Sequence, residues 1–138
     1  MQLELTRKND AFHFEVQNEN GHLVSIDAGP GIGGQDLGFR SMELLLAGLA
    51  GCSSIDILLI LKKQRQIVED YRVVIEGERA TDQVPAVFTH IHLKIFLKGK
   101  IDSDKAEKAV KLAIEKYCSV ASMLQKTARI TWNLYINT

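Results

Sequence analysis

The sequence predicts an α+β fold with the element order βββ-α-ββ-α-(α)-β, built on antiparallel sheet with helices packed on one face. Three observations predict it: apolar alternation near the start, one long apolar segment of helical length, and strands around an amphipathic helix near the end. A chain of 138 residues is by default one domain. Within it we place N-terminal strands at 1–28, a central helix at 41–66, and C-terminal strands and helices at 70–138.

The N-terminal region predicts three short strands in a meander. Apolar alternation marks Leu3–Arg7 and Ala11–Val16, and the turn sequence NENG at 18–21 precedes a third strand at His22–Ala28. The glycine-rich GPGIGG at 29–34 lacks the lysine and hydroxyl residue of a phosphate-binding loop and opens no helix. We therefore interpret it as a flexible loop.

The central helix is predicted by SMELLLAGLAGCSSIDILLILKK, which is apolar nearly all round. Ser41 is a good N-cap, Glu43 in the first turn suits the helix dipole, and the polar KKQRQ at 62–66 ends the segment. A helix without a polar face must be buried on most sides. Its small residues Ala47, Gly48 and Gly51 predict close approach of another helix, which a second subunit could supply.

The C-terminal half predicts three more strands and an interrupted helix. Apolar alternation around 71–75 and over 87–97 predicts two long strands. An amphipathic helix follows, capped by Asp102 or Ser103. Its apolar pattern restarts after Cys118, which predicts a bend there, and the chain ends with a strand at 129–136.

Composition and charge exclude several classes of protein. Seventeen basic residues balance seventeen acidic ones, so neither nucleic acid nor an anionic membrane surface is an expected partner. The central segment is long enough to raise the question of a membrane span, but Asp56 in its middle would be costly in a bilayer. The first ten residues contain no apolar signal segment, and we expect a cytoplasmic protein.

The two cysteines are the main candidates for chemistry. Cys52 lies in the central helix and Cys118 lies 66 residues later, so only the fold can bring them together. In a reducing compartment such a pair is either two free thiols or a redox pair. Redox chemistry needs one activated thiol and a second thiol that resolves its sulfenic acid. The alternative is two buried cysteines that act as small apolar side chains.

Two histidines of a predicted strand, at positions 90 and 92, are candidates for a metal site. His90 and His92 flank Ile91, so they share one face of a predicted strand and could bind a metal together. No third ligand is evident in the sequence, since His13 and His22 are distant in the chain. We therefore expect a solvated strand face and no bound metal.

The stretches SMELLLAGLAGCSSIDILLILKK and KYCSVASML resemble the OsmC/Ohr family, the osmotically inducible protein C and organic hydroperoxide resistance proteins, and most closely its OsmC-like subgroup. The resemblance covers most of the chain and implies an intertwined homodimer whose central helices pack together, with active sites at the subunit interface. It implies thiol-dependent reduction of organic hydroperoxides as part of the oxidative stress response, with Cys52 as the peroxidatic and Cys118 as the resolving thiol.

The resemblance also implies an acid and an arginine beside the first thiol. The acid position of the best-studied branch is Met42 here, and the nearest acid is Glu43, which lies about opposite Cys52 on a straight helix. The arginine would come from the N-terminal strands, with Arg7 as first candidate and Arg40, at the mouth of the helix, as second.

Two polar residues of the helix complete the candidate site. Asp56 is four residues after Cys52 and shares its face, where it could orient a cation or a water, or serve only as an interface hydrogen-bonding group. Ser53, next to Cys52, is a supporting polar residue.

We therefore expect a dithiol peroxidase that acts on apolar organic hydroperoxides, needs no metal, flavin or haem, and is reduced by another dithiol or a lipoyl-type thiol. One alternative is a non-catalytic OsmC-like dimer that binds a hydrophobic small molecule at the subunit interface. The other is a structural interaction module with inert thiols.

Overall fold

The computed structural model describes all residues, 1–138, and the chain forms two compact units, Met1–Leu45 and Leu46–Thr138. The mixed α+β composition and the element order predicted from the sequence are confirmed. The six strands form two three-stranded sheets, one in each unit. That the two units fold as one domain stays a prediction.

The N-terminal unit contains an antiparallel meander of β1 (Leu3–Arg7), β2 (Phe14–Asn18) and β3 (Leu23–Ile26). The predicted turn between β2 and β3 forms because the Asn18 side chain accepts hydrogen bonds from the backbone N–H groups of Asn20 and His22. Such bonding by an asparagine to the backbone just after it is a common way to close a turn.

Asp27 organises the glycine-rich loop that follows β3. Its buried carboxylate accepts hydrogen bonds from the backbone N–H groups of Ala28, Gln35 and Leu37, at 2.7–3.2 Å. Burial by itself raises the pKa of Asp27, but these donors outweigh it and hold the pKa below its ordinary value. A Cβ on Gly34 would collide with the carbonyl oxygen of Ala28, so the loop requires glycine there. The predicted loop is therefore confirmed at 29–34, where it contains one turn of 3-10 helix.

The central helix, α1, spans Ser41–Lys63, close to the predicted 41–66. Arg40, not Ser41, is the capping residue. Its backbone N–H donates to Oε1 of Glu43 at 2.8 Å, so Glu43 accepts as the third helical residue of a capping box does. By length and composition α1 could cross a membrane, a property it shares with the core helices of water-soluble proteins.

The expectation that α1 is buried on most sides is wrong for the single chain. Its buried residues recur every fourth position and form one stripe, Leu49, Ser53, Ile57 and Leu61. At about 100° per residue, a second stripe lies on the opposite side of the helix. This exposed stripe consists of Gly48, Gly51, Ile55 and Leu58. One chain covers α1 from one side only, so the apolar residues opposite remain exposed.

The end of α1 offers a test of local backbone strain. The N–H groups of Arg65 and Gln66 donate to the carbonyls of Lys62 and Leu61, which is the Schellman pattern that closes a helix. This pattern places Arg65 in the left-handed region, at φ 59°, where glycine is favoured.

We expect Arg65→Gly to stabilise the protein by about 0.5–1 kcal/mol, because relief of roughly 1–2 kcal/mol of left-handed strain exceeds the entropy that glycine gives the unfolded chain. Urea unfolding would measure the gain, with Arg65→Ala as a control that keeps the strain. A less stable Arg65→Gly protein would contradict this account of the helix end.

The C-terminal unit contains a mixed sheet of β4 (Ile67–Arg79), β5 (Phe88–Lys100) and β6 (Arg129–Ile136). The antiparallel expectation holds for β4 and β5 but is wrong for β6, which runs parallel to β5. The connection explains the direction of β6. A helical crossover of 28 residues (101–128) carries the chain back to the end of the sheet at which β5 begins, so β6 starts there as well. Inward-facing side chains of β5 supply much of the core: Ile91, Leu93, Ile95 and Leu97.

The crossover places Cys118 at a break between two helices. It consists of α2 (Ser103–Leu112), a single π-helical turn at Ala113–Tyr117, and α3 (Ser119–Leu124). Of the two predicted capping residues, Asp102 and Ser103, it is Asp102 that caps α2, by accepting the N–H of Lys105. The bend predicted near Cys118 is confirmed, because Cys118 is extended, with φ −73° and ψ 111°, and serves as the N-cap of α3.

Candidate functional site

The structure brings together three side chains of the C-terminal unit that the sequence singled out separately. The sulfur atoms of Cys52 and Cys118 and a carboxylate oxygen of Asp56 all lie within 4.8 Å of one another. Both cysteines are free thiols. Two reduced thiols at this separation can form a disulfide after small side-chain movements, and the carboxylate lies beside both of them.

Cys52 and Asp56 reach the cluster because they lie one turn apart on α1, flanking its buried stripe. Residues four apart on a helix share a face, so the predicted common face of the two side chains is confirmed. Both are partly exposed, in contrast to the fully buried Ser53 between them. A helix is a rigid support, and it fixes the thiol and the carboxylate relative to each other.

Cys118 reaches the cluster through the π-turn and the helix break that follows it. Its N–H donates to the carbonyl of Ala113 at 2.8 Å, closing the wide turn. Its sulfur accepts the backbone N–H of Ala121 at 3.3 Å, so a cysteine takes the capping place that serine or aspartate usually fills. Single π-turns within helices occur frequently at functional sites.

The environment of Cys118 suppresses its thiolate. The side chain is only 2% exposed. The pKa of the Cys118 thiol is raised to about 11, mainly by burial and also by the neighbouring Cys52, while the hydrogen bond from the Ala121 N–H opposes the shift. At neutral pH Cys118 is therefore protonated and shielded from solvent. Of the two thiols, Cys52 is the one that a soluble reagent can reach.

A cavity of about 330 Å³ opens beside the cluster. Asp56 forms part of its wall, together with the charged side chain of Lys63 and the aromatic ring of Tyr117. The rest of the lining is aliphatic: Leu59, Ile60 and Leu112. A mostly apolar cavity with a few polar groups in its wall is typical of a small-molecule site.

The cavity was not predicted from the sequence, although the helical spacing of some of its lining residues indicated a shared face. Leu59, Ile60 and Lys63 follow Asp56 at helical spacing and could have been assigned to one face of α1. No helical spacing in the sequence connected Leu112 or Tyr117 to this face, because the π-turn between them changes the direction in which the side chains of the crossover point. Tyr117 is 52% exposed.

The other predicted site residues have their hydrogen-bond partners within the N-terminal unit. Glu43 accepts the N–H of Arg40, which gives it a helix-capping role. The Arg40 guanidinium pairs with Asp36 at 3.1 Å and donates to the carbonyl oxygens of Asp27 and Gly38. The Arg7 guanidinium donates to two backbone carbonyls, those of Asp10 and Ala11, and no carboxylate pairs with it. Their catalytic roles stay predictions.

The hydroxyl groups of the two serines that follow Cys52 form hydrogen bonds that stabilise the fold. Ser53 Oγ donates to the carbonyl of Leu49, one turn back on α1, at 2.7 Å. Ser54 Oγ accepts the hydroxyl of Tyr71 at 2.9 Å and so ties α1 to β4. Burial raises the pKa of Tyr71, and the bond to Ser54 opposes the shift.

The two strand histidines share a partner. The rings of His90 and His92 both hydrogen-bond the hydroxyl of Thr131 at 2.7 Å. His92 Nε2 also donates to Oδ1 of Asn133 at 2.8 Å. Their ring nitrogens are thus used in a network across β5 and β6, on the face of the sheet away from the buried side chains of β5.

Comparisons with known proteins identify the family. A family model described as "OsmC-like protein" matches residues 33–133. Protein YhfA from Escherichia coli K12 is 40% identical over 119 residues, which cover 86% of this chain and 85% of that one.

Solved structures share the fold over nearly the whole chain. A hypothetical protein from Aquifex aeolicus VF5 is similar at a TM-score of 0.80 and 32% identity, covering 99% of this chain and 97% of that one. An organic hydroperoxide resistance protein from Elizabethkingia anophelis is similar at a TM-score of 0.76 and 15% identity, covering 99% and 97%. The family match and the 40% identity to YhfA together show that the chain belongs to the OsmC-like protein family.

Proposed function

We propose that this protein is a thiol-dependent peroxidase that reduces organic hydroperoxides through Cys52 and Cys118. The observation that carries the proposal is the pair of free thiols within 4.8 Å of each other, one accessible and one buried. Membership of the OsmC-like family supports it, as does the fold shared with proteins named for organic hydroperoxide resistance.

The difference in burial between the two thiols supports the proposed order of reaction. Cys52 is partly exposed and attacks the hydroperoxide as a thiolate: an S–O bond forms, the O–O bond breaks, and the alcohol leaves after taking up a proton. Cys118 is protonated and buried, so it is unsuited to the first attack. Its thiol then attacks the Cys52 sulfenic acid, which forms the disulfide and releases water.

Asp56 takes part in the second step of this proposal. Cys118 must lose its proton as it attacks, and burial makes that loss difficult. The Asp56 carboxylate lies within 4.8 Å of the Cys118 sulfur and can accept the proton there. A dithiol or lipoyl-type reductant then attacks the disulfide and restores both thiols.

The proposal includes a cation that activates Cys52, the arginine that the family resemblance implies. Arg7 is the better candidate, since its guanidinium is paired only with backbone carbonyls. Arg40 is paired with Asp36, which neutralises part of its charge.

The substrate in this proposal is an organic hydroperoxide with an apolar body. Leu59, Ile60 and Leu112 line the cavity beside Asp56 and would hold that body next to the thiols. The protein acts in hydroperoxide detoxification in the cytoplasm, where a reducing environment keeps the two thiols free.

The protein is proposed to act as a homodimer in which the α1 helices of two chains pack together. Ile55 is 63% exposed and Leu58 37%, and a Cβ on Gly48 or Gly51 would meet no atom within 4 Å. This stripe combines an exposed apolar surface with small residues that admit a second helix backbone. A second α1 would bury it and supply the cover that a single chain lacks.

Steady-state turnover tests the proposed activity. Purified protein with cumene hydroperoxide and a dithiol reductant should consume the peroxide catalytically, and should prefer it to hydrogen peroxide because the cavity wall is apolar. If peroxide is not consumed but an apolar fluorescent ligand binds the cavity, the alternative of a non-catalytic binding protein is correct instead.

A further inference from the structure

Cys52, Asp56 and Cys118 bring together the ligand atoms of a metal site as well as the groups of a redox pair. In the proposed peroxidase Asp56 only accepts a proton, yet its carboxylate oxygen and the two sulfur atoms all lie within 4.8 Å of one another. Two thiolates and one carboxylate form a three-ligand set with one open position, which is the arrangement that zinc sites keep when they also bind water.

We propose that the reduced protein binds a thiophilic divalent cation of the zinc class through Cys52 Sγ, Cys118 Sγ and one oxygen of Asp56, and that oxidation of the thiols releases it. The binding itself does not depend on the proposed peroxidase activity. Only the release by a hydroperoxide rests on that activity.

The spacing of the ligand atoms suits such an ion. Zinc–sulfur bonds of about 2.3 Å at tetrahedral angles place two sulfur atoms about 3.8 Å apart. The three atoms lie within 4.8 Å of one another, so a contraction of up to about 1 Å is needed, which side-chain rotation can supply.

The backbone elements that carry the three ligand residues hold them in fixed positions. Cys52 and Asp56 project from adjacent turns of the same helix, and this spacing fixes two of the three ligands before an ion arrives. Cys118 Sγ is oriented by the N–H of Ala121 at 3.3 Å, a supporting bond of the kind that positions metal ligands. Two thiolates select zinc-class ions over magnesium or calcium, which prefer oxygen ligands.

The chemistry makes metal binding and oxidation mutually exclusive. On binding, two thiols lose their protons to solvent and two metal–sulfur bonds form. An organic hydroperoxide then takes two electrons from the two thiolates: a sulfur–sulfur bond forms, the O–O bond breaks, and two protons yield the alcohol and water. The disulfide leaves only Asp56 as a ligand, so the ion dissociates.

Zinc titration of the reduced protein tests the site, with a chromophoric chelator as competitor and a phosphine as reductant. We expect one Zn²⁺ per chain and a melting temperature that rises with Zn²⁺ only in the reduced form. Asp56→Asn should weaken binding by about 10–100-fold, by analogy with losses seen when metal-site residues are changed. Cys52→Ser should abolish stoichiometric binding.

Two controls make the result decisive. Glu115→Gln removes an exposed acid three residues before Cys118 and should leave the affinity unchanged. Wild type oxidised to the disulfide keeps every residue and should bind no Zn²⁺, so the test does not depend on the folding of a variant. Equal affinity of wild type and Asp56→Asn, or no stoichiometric binding by reduced wild type, would overturn the proposal.

Two measurements on wild-type protein distinguish failure of this proposal from failure of the peroxidase proposal. Peroxide turnover is measured with a metal chelator present, and Zn²⁺ binding is measured without peroxide. Turnover without Zn²⁺ binding overturns the metal site alone, and binding without turnover overturns the peroxidase alone while the metal site stands.

Discussion

Cys52→Ser is expected to reduce hydroperoxide turnover to the uncatalysed rate, because it removes the only thiol of the pair that a substrate can reach. Cys118→Ser should behave differently. It keeps the attacking thiol and loses the resolving one, so it should consume about one equivalent of peroxide per chain and then stop as a sulfenic acid. Peroxide consumption and trapping of the sulfenic acid with dimedone measure the two outcomes.

Each cysteine variant serves as the control for the other. Serine is close to cysteine in size, so both variants should retain the melting temperature of the wild type within a few degrees, which calorimetry would check. Full turnover by Cys52→Ser, or a dimedone adduct on Cys118 in wild type, would reverse the assignment of the two thiols.

Gly51→Leu is expected to convert the proposed dimer to monomers while the chain stays folded. In the single chain a Cβ at Gly51 meets no atom within 4 Å, so the larger side chain costs the fold little. Replacing glycine inside a helix favours the helix by up to about 1 kcal/mol. Light scattering after size exclusion would report the mass, and circular dichroism would report the fold.

The matched control for this substitution is Lys108→Leu, which adds an exposed leucine to α2 instead of α1. It should leave the oligomeric state unchanged. A wild-type monomer, or a Gly51→Leu dimer with unaltered affinity, would contradict packing of α1 against a second copy.

Local signals predicted the elements better than their arrangement. β1 and β6 begin and end at the predicted residues, and the Asp102 cap lies where it was predicted. The parallel direction of β6 was missed, because strand direction follows from how a crossover returns, which alternation within a strand does not encode. The exposed side of α1 was missed because a uniformly apolar helix does not reveal which of its faces its own chain covers.

Part of the candidate site was also predicted from the sequence, and part of it was found only in the structure. The common face of Cys52 and Asp56 followed from their spacing of four residues, and the approach of Cys118 followed from a family resemblance. The family resemblance also implied the order of the two thiols, and the burial of Cys118, which follows the π-turn, supports that order. Tyr117 was found only with the cavity, since no pattern in the sequence connects it to the cysteines.

The most direct test of the dithiol mechanism is the covalent state of wild-type protein after one equivalent of organic hydroperoxide, without reductant. We expect the intact mass to fall by that of two hydrogen atoms and peptide mapping to find Cys52 joined to Cys118 within one chain. Protein that remains fully reduced, or that carries a stable oxygen adduct on Cys52 with Cys118 still a free thiol, would contradict the mechanism.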